Sequence, residues 1–288
     1  MRNFSDNDMA PYSIASPACI SFSGGRSSGY MLHQIVMAHG GNLPFDVLPV
    51  FANTGKEREE TLRFVSDCAT HWRMTIHWVE WRNNAEGFEE VGYNSASRRG
   101  EPFAALIAKK GMPPNWQARF CTQYLKVKAM TAFMASRGFA PCTYAEVIGL
   151  RHDEGLRIFK MLERNERDGR HCIAPMAQAK VTRADVMAHW RAQPFDLQIE
   201  PGEGNCDLCF LKGRGLRKEL IRRNPGSADW WIEAEQSVGG FFDRRDRYSD
   251  LRAEVLRSPD LFAELNDEHD AECGLLCGAG IEIEGEGK

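Results

Sequence analysis

Residues 18–36 read ACISFSGGRSSGYMLHQIV: a short apolar run, a turn of serine and glycine, then a helical repeat of apolar side chains. The run at Ala18–Phe22 predicts a buried strand, and the repeat predicts a helix. Glycine lets backbone approach a ligand closely, and the first turn of a helix offers free N–H groups and a positive dipole end that stabilise phosphate. The pattern therefore predicts a phosphate-binding loop at Ser23–Ser28.

The residues alone leave a second interpretation of this turn open. Serine and glycine are also common where a helix is simply capped. A Walker-type loop is excluded, because the chain contains no Gly-Lys-Ser/Thr triplet.

Strand and helix patterns alternate on either side of this loop. Further strands are predicted at Phe45–Phe51, Met74–Val79 and Tyr144–Gly149, and helices at Glu59–His71, 102–110, 122–137 and Ala184–Ala192. Strands that alternate with helices predict an α/β fold whose parallel sheet is covered on both faces.

The character of the chain changes near Gly202, where glycine, cysteine and charged residues begin to dominate. Helices are predicted near 215–223, 228–238 and 250–266. We therefore expect a nucleotide-binding α/β domain at 1–201. A mostly helical, cysteine-containing region with a Gly/Glu-rich, frayed tail is expected at 202–288.

Composition excludes several classes of protein. The chain has 288 residues and a formal net charge of −4, which gives no general attraction to nucleic acid or to an anionic membrane. No apolar run approaches the length of a membrane span. The first residues are polar and lack the apolar core of a signal peptide, so we expect a cytoplasmic protein.

Six of the nine cysteines fall into two groups. Cys19, Cys68, Cys142 and Cys172 each stand alone in or beside apolar segments, as small packing residues do. Cys206-Asp-Leu-Cys209 is a CxxC pair, which can hold a metal or an iron–sulfur cluster, form half of a zinc site, or act as a redox dithiol. The spacing alone does not choose among these.

Five blocks, in order, resemble one known family. Residues 21–30, SFSGGRSSGY, resemble the SGGxxS signature of PP-loop ATP pyrophosphatases. The other four resemble blocks of its PAPS reductase-like branch: Phe51–Leu62 (NTG…ET), Arg119–Lys126 (RxCTxxLK), Gly149–Glu154 with Arg157 (GxRxDExxxR), and Pro175 followed by Asp185, Val186 and Trp190. The resemblance implies a Rossmann-like, doubly wound fold of the adenine nucleotide alpha-hydrolase-like type.

The resemblance also implies roles for single residues. Those implied to cradle phosphate are Ser23, Gly24, Gly25, Ser27 and Ser28. Those implied to line or position the nucleotide are Asn53, Thr54, Gly55, Glu60, Lys126 and Gly149. Arg151, Asp153 and Arg157 would act at the phosphates or at an acidic group of the substrate, where an arginine fork suits an oxyanion. The alternative for this last group is a solvated loop with exposed ion pairs.

The cysteines acquire roles by the same resemblance. APS reductases hold a [4Fe–4S] cluster with a tandem cysteine pair and a later CxxC, so Cys121, Cys206 and Cys209 are implied metal ligands. This chain departs from the pattern, because Phe120 replaces the first cysteine of the pair. The fourth ligand would be Cys277 or Cys273, or one iron would stay open. Zinc and no metal are the alternatives.

The segment Glu272–Cys277, ECGLLC, resembles the ECGLH motif of sulfonucleotide reductases. It implies Cys273 as a nucleophile that attacks the sulfur of a bound sulfonucleotide. Leu276 stands where that motif has histidine. The other interpretations are cluster ligands, a resolving cysteine pair, or an incidental pair in an acidic tail.

Three functions follow from these residues. The first is ATP-dependent, pyrophosphate-releasing sulfur transfer assisted by an iron–sulfur cluster. Its nucleotide would be ATP, accompanied by Mg²⁺. A sulfur donor and a nucleic acid or small-molecule acceptor would be its partners. The second is reduction of APS or PAPS to sulfite with a thiol reductant. The third is a non-enzymatic nucleotide- or Fe–S-binding role. The intact loop favours the first, because only ATP has β- and γ-phosphates for it to hold.

Overall fold

The computed structural model describes residues 10–200 and 202–257. The strands are β1 Ala18–Ser21, β2 Val47–Asn53, β3 His77–Trp81, β4 Phe88–Val91, β5 Ala145–Ile148 and β6 Cys172–Ile173. The helices are α1 Arg26–Ala38, α2 Glu59–His71, α3 Glu101–Lys110, α4 Ala129–Ser136, α5 Gly155–Asp168, α6 Pro175–Gln178, α7 Arg183–Arg191, α8 Arg214–Arg223, α9 Asp229–Val238 and α10 Tyr248–Arg257. A π-helical segment, Thr122–Lys128, leads into α4.

The six strands form one sheet in the order β4-β3-β2-β1-β5-β6. All neighbours are parallel except β3 and β4. The chain moves outward from β1 to β2 on one side and returns to β5 on the other, so β1 and β5 flank the point where strand order reverses. Ligands bind at such switch points in open α/β sheets. The predicted Rossmann-like α/β fold is confirmed.

Several boundaries differ from the predicted ones. Strand β2 begins at Val47 because Phe45 lies outside the sheet and is 91% exposed. Strand β3 covers His77–Trp81 instead of Met74–Val79. Strands β4 and β6 and helix α5 were not predicted. Helix α5 has Met161 as its one buried residue, and the apolar side chains of Leu156, Phe159 and Leu162 on it are exposed.

Two hydrophobic cores cover the faces of the sheet. One packs α1, α2 and α7 against β1 and β2, with Trp190 at its centre. The other packs α3, α4 and helices α8–α10 against β2 and β3. Residues of the C-terminal region, among them Trp231 and Phe242, are fully buried in this second core. Those two rings therefore pack the C-terminal region onto the sheet. No helix in the described ranges could span a membrane.

A histidine pair joins α1 to α7. His33 Nδ1 lies 3.3 Å from His189 Nε2, and the ring of His33 stacks on Trp72. Burial, helped by the charge of His33, lowers the pKa of His189 to about 4, and burial also lowers the pKa of His33. The neutral forms are therefore the ones that pack.

We predict a loss of stability in mild acid. The pKa of histidine is about 6.5 in the unfolded chain and about 4 for folded His189. Between these two values the unfolded chain binds a proton that folded His189 does not, so the free energy of unfolding decreases as the pH is lowered. His189→Gln should flatten this fall in urea unfolding at pH 7.5, 6 and 5. His171→Gln, at an exposed position, should leave it unchanged. Equal slopes in all three proteins would contradict the prediction.

Candidate functional site

The Ser23–Ser28 loop lies directly beyond the carboxyl end of β1, at the reversal of strand order. Gly24 has φ +74°, and a Cβ there would lie 2.7 Å from Thr61 Cγ2 of α2. Glycine is therefore required by both backbone conformation and packing. Gly25 precedes α1 with extended backbone, so the first helical N–H groups face the loop.

The serine side chains of the loop are organised by hydrogen bonds. Ser28 Oγ accepts from the Ser23 backbone N–H at 3.2 Å and lies 2.9 Å from Ser23 Oγ. Asn205 Nδ2 donates to the Ser23 carbonyl oxygen at 2.6 Å. Asn205 precedes the CxxC pair, so the C-terminal region fixes the loop that follows the first strand.

Arg151 joins the loop after β5 to the loop after β1. It is 5% exposed, and its Nη1 donates to Ser27 Oγ at 2.9 Å while its Nε donates to Asp153 Oδ1 at 3.0 Å. Gly149 permits this approach, because a Cβ there would lie 3.1 Å from Ser28 Cα. The predicted phosphate loop and the predicted arginine block therefore meet.

Asp153 and Arg157 flank this arginine. Burial raises the pKa of Asp153, but Arg151 and a backbone N–H of Arg183 outweigh it and hold that pKa below its usual range. Arg157 pairs with Glu154, which also accepts from the Arg151 backbone N–H. The Asp153 carboxylate therefore stays charged, and Asp153 and Glu154 hold the two arginines in place.

One cavity of about 150 Å³ collects these groups. Of the described residues that line it, six are cationic and one, Glu200, is a carboxylate. The cations are Arg26, Lys126, Arg151, Arg157, Arg183 and Lys212. Arg26 is held by Asp196 at 2.8 Å. A wall this rich in cations, in a chain of net charge −4, suits a polyanionic ligand.

The predicted NTG residues lie beneath this cavity. The Asn53 amide donates to Glu80 and to the Ser97 carbonyl oxygen. Thr54 donates from its N–H and its hydroxyl to Glu57 Oε2, both at 2.8 Å. Within the described ranges, Asn53, Thr54 and Gly55 are not on the cavity wall, whereas Ala52 is.

Glu57 is the carboxylate that holds Asn53, Thr54 and Gly55 in place, whereas the resemblance implied Glu60 for positioning there. Glu57 Oε1 lies 3.9 Å from Cys206 Sγ and 3.8 Å from Lys126 Nζ. Glu60 is the second residue of α2 and is half-buried. Glu57 therefore links the NTG block to the π-helical segment and to the CxxC pair.

Both CxxC thiols line the cavity. The segment is held to the NTG block, since the Arg58 N–H donates to the Asn205 carbonyl oxygen and the Asp207 N–H donates to that of Lys56. Lys212 lies beside the thiols and is 1% exposed. Burial lowers the pKa of its ammonium, and the nearby Cys209 and Cys206 partly oppose this.

Among the predicted metal ligands, Cys206 and Cys209 line the cavity. Cys121 directly precedes the π-helical segment and packs against the second core, as Cys209 does. Within 10–200 and 202–257, no group of three or more histidine, cysteine or carboxylate side chains is placed to hold a metal. The described residues thus do not fit a complete cluster site. Cys273 and Cys277 lie outside the described residues.

Sequence reasoning did not assign Glu57, Arg183, Asn205 or Lys212 to the site. Asn205 had one local signal, its position next to the CxxC pair. Lys212 is the first residue of a basic run that also contains Arg214, Arg217, Lys218, Arg222 and Arg223. The rest of that run is neutralised by carboxylates: Arg214 pairs with Asp246, and Arg223 pairs with Glu203. Distant contacts, and not motif spacing, bring Arg183, Asn205 and Lys212 to the cavity.

Comparison with known proteins adds one relative. No protein-family model matches the chain. It is 31% identical over 201 residues to an uncharacterized nin region protein, ORF290, of Escherichia phage lambda. The similarity covers 67% of this chain and 65% of that protein, just under two thirds of its length.

Proposed function

We propose that the chain is a PP-loop enzyme that binds ATP, releases pyrophosphate and transfers sulfur to an acceptor. One observation carries the proposal: the Ser/Gly loop, the cationic side chains and both CxxC thiols line a single cavity. Nucleotide activation and sulfur delivery could then occur without moving the substrate between sites.

The loop residues and arginines would perform the activation. Ser23, Ser27 and the first N–H groups of α1 would hold the phosphates, and Arg151 would neutralise the charge that develops as pyrophosphate leaves. An oxygen of the acceptor attacks the α-phosphorus, the bond to the β-phosphate breaks, and the acceptor becomes adenylated. This division of roles explains why cations, and not carboxylates, dominate the wall.

The CxxC pair would deliver the sulfur. A persulfide on one thiol, loaded by a sulfur donor, attacks the activated centre through its terminal sulfur and expels AMP. The second thiol then attacks the resulting disulfide, which releases the thiolated acceptor and leaves a Cys206–Cys209 disulfide. A thiol reductant restores the pair. The described residues do not complete a cluster site, so no step passes through one; assays of iron and acid-labile sulfide test the [4Fe–4S] expectation.

Nucleotide titration tests the activation half. Anaerobically purified protein should bind ATP more tightly than AMP, because the loop holds phosphates that AMP lacks. It should not release sulfite from APS or PAPS in the presence of a thiol. Sulfite release would instead favour the sulfonucleotide reductase, for which the tetrapeptide ECGL at 272–275 is the supporting observation.

A cysteine variant tests the delivery half. Cys206→Ser should lose most of the cyanide-releasable sulfur that the protein takes up from a small-molecule persulfide, while ATP affinity stays within about twofold, because serine preserves the shape of the wall. Cys142→Ser, at an exposed position away from the cavity, is the matched control. Unchanged sulfur uptake in Cys206→Ser would contradict the role of the CxxC pair.

A further inference from the structure

A second surface of the protein combines one exposed ring, Trp116, and two half-buried rings, Tyr124 and Phe241, with arginine and lysine. Trp116, in the loop between α3 and the π-helical segment, is 49% exposed, and the guanidinium carbon of Arg119 lies 5.6 Å from the centroid of its ring. On the adjoining loop after α9, the guanidinium carbon of Arg247 lies 4.0 Å from the centroid of the Phe241 ring. Pro113 joins the two loops, because a Cβ on Gly240 would lie 2.5 Å from Pro113 Cδ.

The same surface continues along the π-helical segment. The Nζ atoms of Lys110 and Lys128 lie 4.7 and 4.0 Å from the centroid of the Tyr124 ring. A groove of about 360 Å³ runs between the loops and is lined by Phe241, Arg244 and Arg247 among others. We call this region the Trp116 surface; it comprises Lys110, Trp116, Arg119, Tyr124, Lys128, Phe241, Arg244 and Arg247.

The cations of the Trp116 surface lie together, and none of its five lysines and arginines forms a close ion pair with a carboxylate of the described residues. On α8, by contrast, Lys218 pairs with Glu254, and Arg217 pairs with Asp243 and Asp246. A positive area left unneutralised in a chain of net charge −4 indicates an anionic partner.

We propose that the Trp116 surface binds single-stranded nucleic acid. Unpaired bases stack on exposed rings, and nearby arginines and lysines neutralise the backbone phosphates. In a duplex the base faces are already stacked on each other, so the rings of the Trp116 surface would have few bases to stack on. Tyr124 and Lys128 share the π-helical segment with Lys126, which lines the cavity. A bound strand would therefore pass beside the site, and its role as sulfur acceptor rests on the proposed function, whereas its binding does not.

Fluorescence anisotropy with a labelled 20-nucleotide DNA strand, and with the same sequence as a duplex, tests this proposal. The single strand should bind more tightly than the duplex, with an affinity that falls between 50 and 200 mM salt. Trp116→Ala should weaken binding by about 5- to 100-fold, because one stacked base is lost, and Trp116→Phe should restore most of it. Arg119→Gln should weaken binding and reduce the salt dependence.

Phe159→Ala provides a matched control. Phe159 is another exposed ring, 59% exposed on α5, outside the Trp116 surface. Its removal should leave the affinity for the strand unchanged. The proposal is overturned if Trp116→Ala binds as tightly as the unaltered protein, if the duplex binds as well as the strand, or if neither binds at 50 mM salt. ATP affinity is measured on the same samples, so failure here is distinguishable from failure of the proposed function.

Discussion

Gly24→Ala should lower the free energy of unfolding by about 2–5 kcal/mol and abolish most ATP binding. An alanine at φ +74° is strained by about 1–2 kcal/mol. Its Cβ would also lie 2.7 Å from Thr61 Cγ2 and 3.1 Å from Val65 Cγ2, and such overpacking typically costs about 1–3 kcal/mol. Relief of this clash would move the phosphate loop away from α2. Urea unfolding and ATP titration measure the two effects.

A second glycine separates strain from the clash. Gly40 has φ +67°, but a Cβ there would have no neighbour within 4 Å. Gly40→Ala should therefore lose only about 1–2 kcal/mol and keep full ATP affinity. If the two variants lose the same stability, the packing of the loop against α2 is described wrongly. If Gly24→Ala unfolds easily yet binds ATP normally, the loop is not the phosphate site.

Arg151→Met should weaken ATP binding by roughly a hundredfold, since loss of a buried charge that pairs with the ligand costs about 2–5 kcal/mol. The guanidinium reaches both Ser27 and Asp153 and lies on the cavity wall. Methionine has similar length without the charge, so the wall would lose both a cation and the link between the two loops. ATP affinity by calorimetry is the measurement.

Two further variants show whether this effect is local. Arg151→Lys keeps the charge but cannot hold two partners with one fork, and should lose about tenfold in affinity. Arg170 pairs with Glu146 on β5, half-buried and outside the cavity lining. Arg170→Met should lose stability with ATP affinity unchanged. Equal binding losses in the Arg151 and Arg170 variants would point to general destabilisation instead of ligand contact.

Local patterns predicted most of the fold, because alternating buried strands and helices leave a periodic signal. Helix α2 was predicted at its observed bounds, Glu59–His71. Strand β4 gave no such signal, since Glu89 and Glu90 are exposed on an edge that pairs only with β3. Elements with little buried surface cannot be recognised by burial periodicity.

The candidate site was predictable only where its residues are close in sequence. Ser23–Ser28 and Arg151 come from short blocks, and the structure places them in contact. Glu57 was overlooked in favour of Glu60, because a block match does not show which carboxylate turns back toward Thr54. Lys212 lies beside the thiols of Cys206 and Cys209 through the turn that follows them, and the basic run in the sequence does not show which of its members turns toward the pair.

The hydrogen bond from Asn205 to Ser23 has a consequence for how the protein is made. Its partners are 182 positions apart in the chain. At a synthesis rate of roughly 5–20 residues per second, about 10–35 seconds separate the emergence of the two residues. During that interval the nascent sheet can assemble before the hydrogen bond from Asn205 to the Ser23 carbonyl oxygen can form. Nucleotide capture should therefore begin late in translation, and ribosome-bound chains stalled before Asn205 should be poor binders even with all six strands complete.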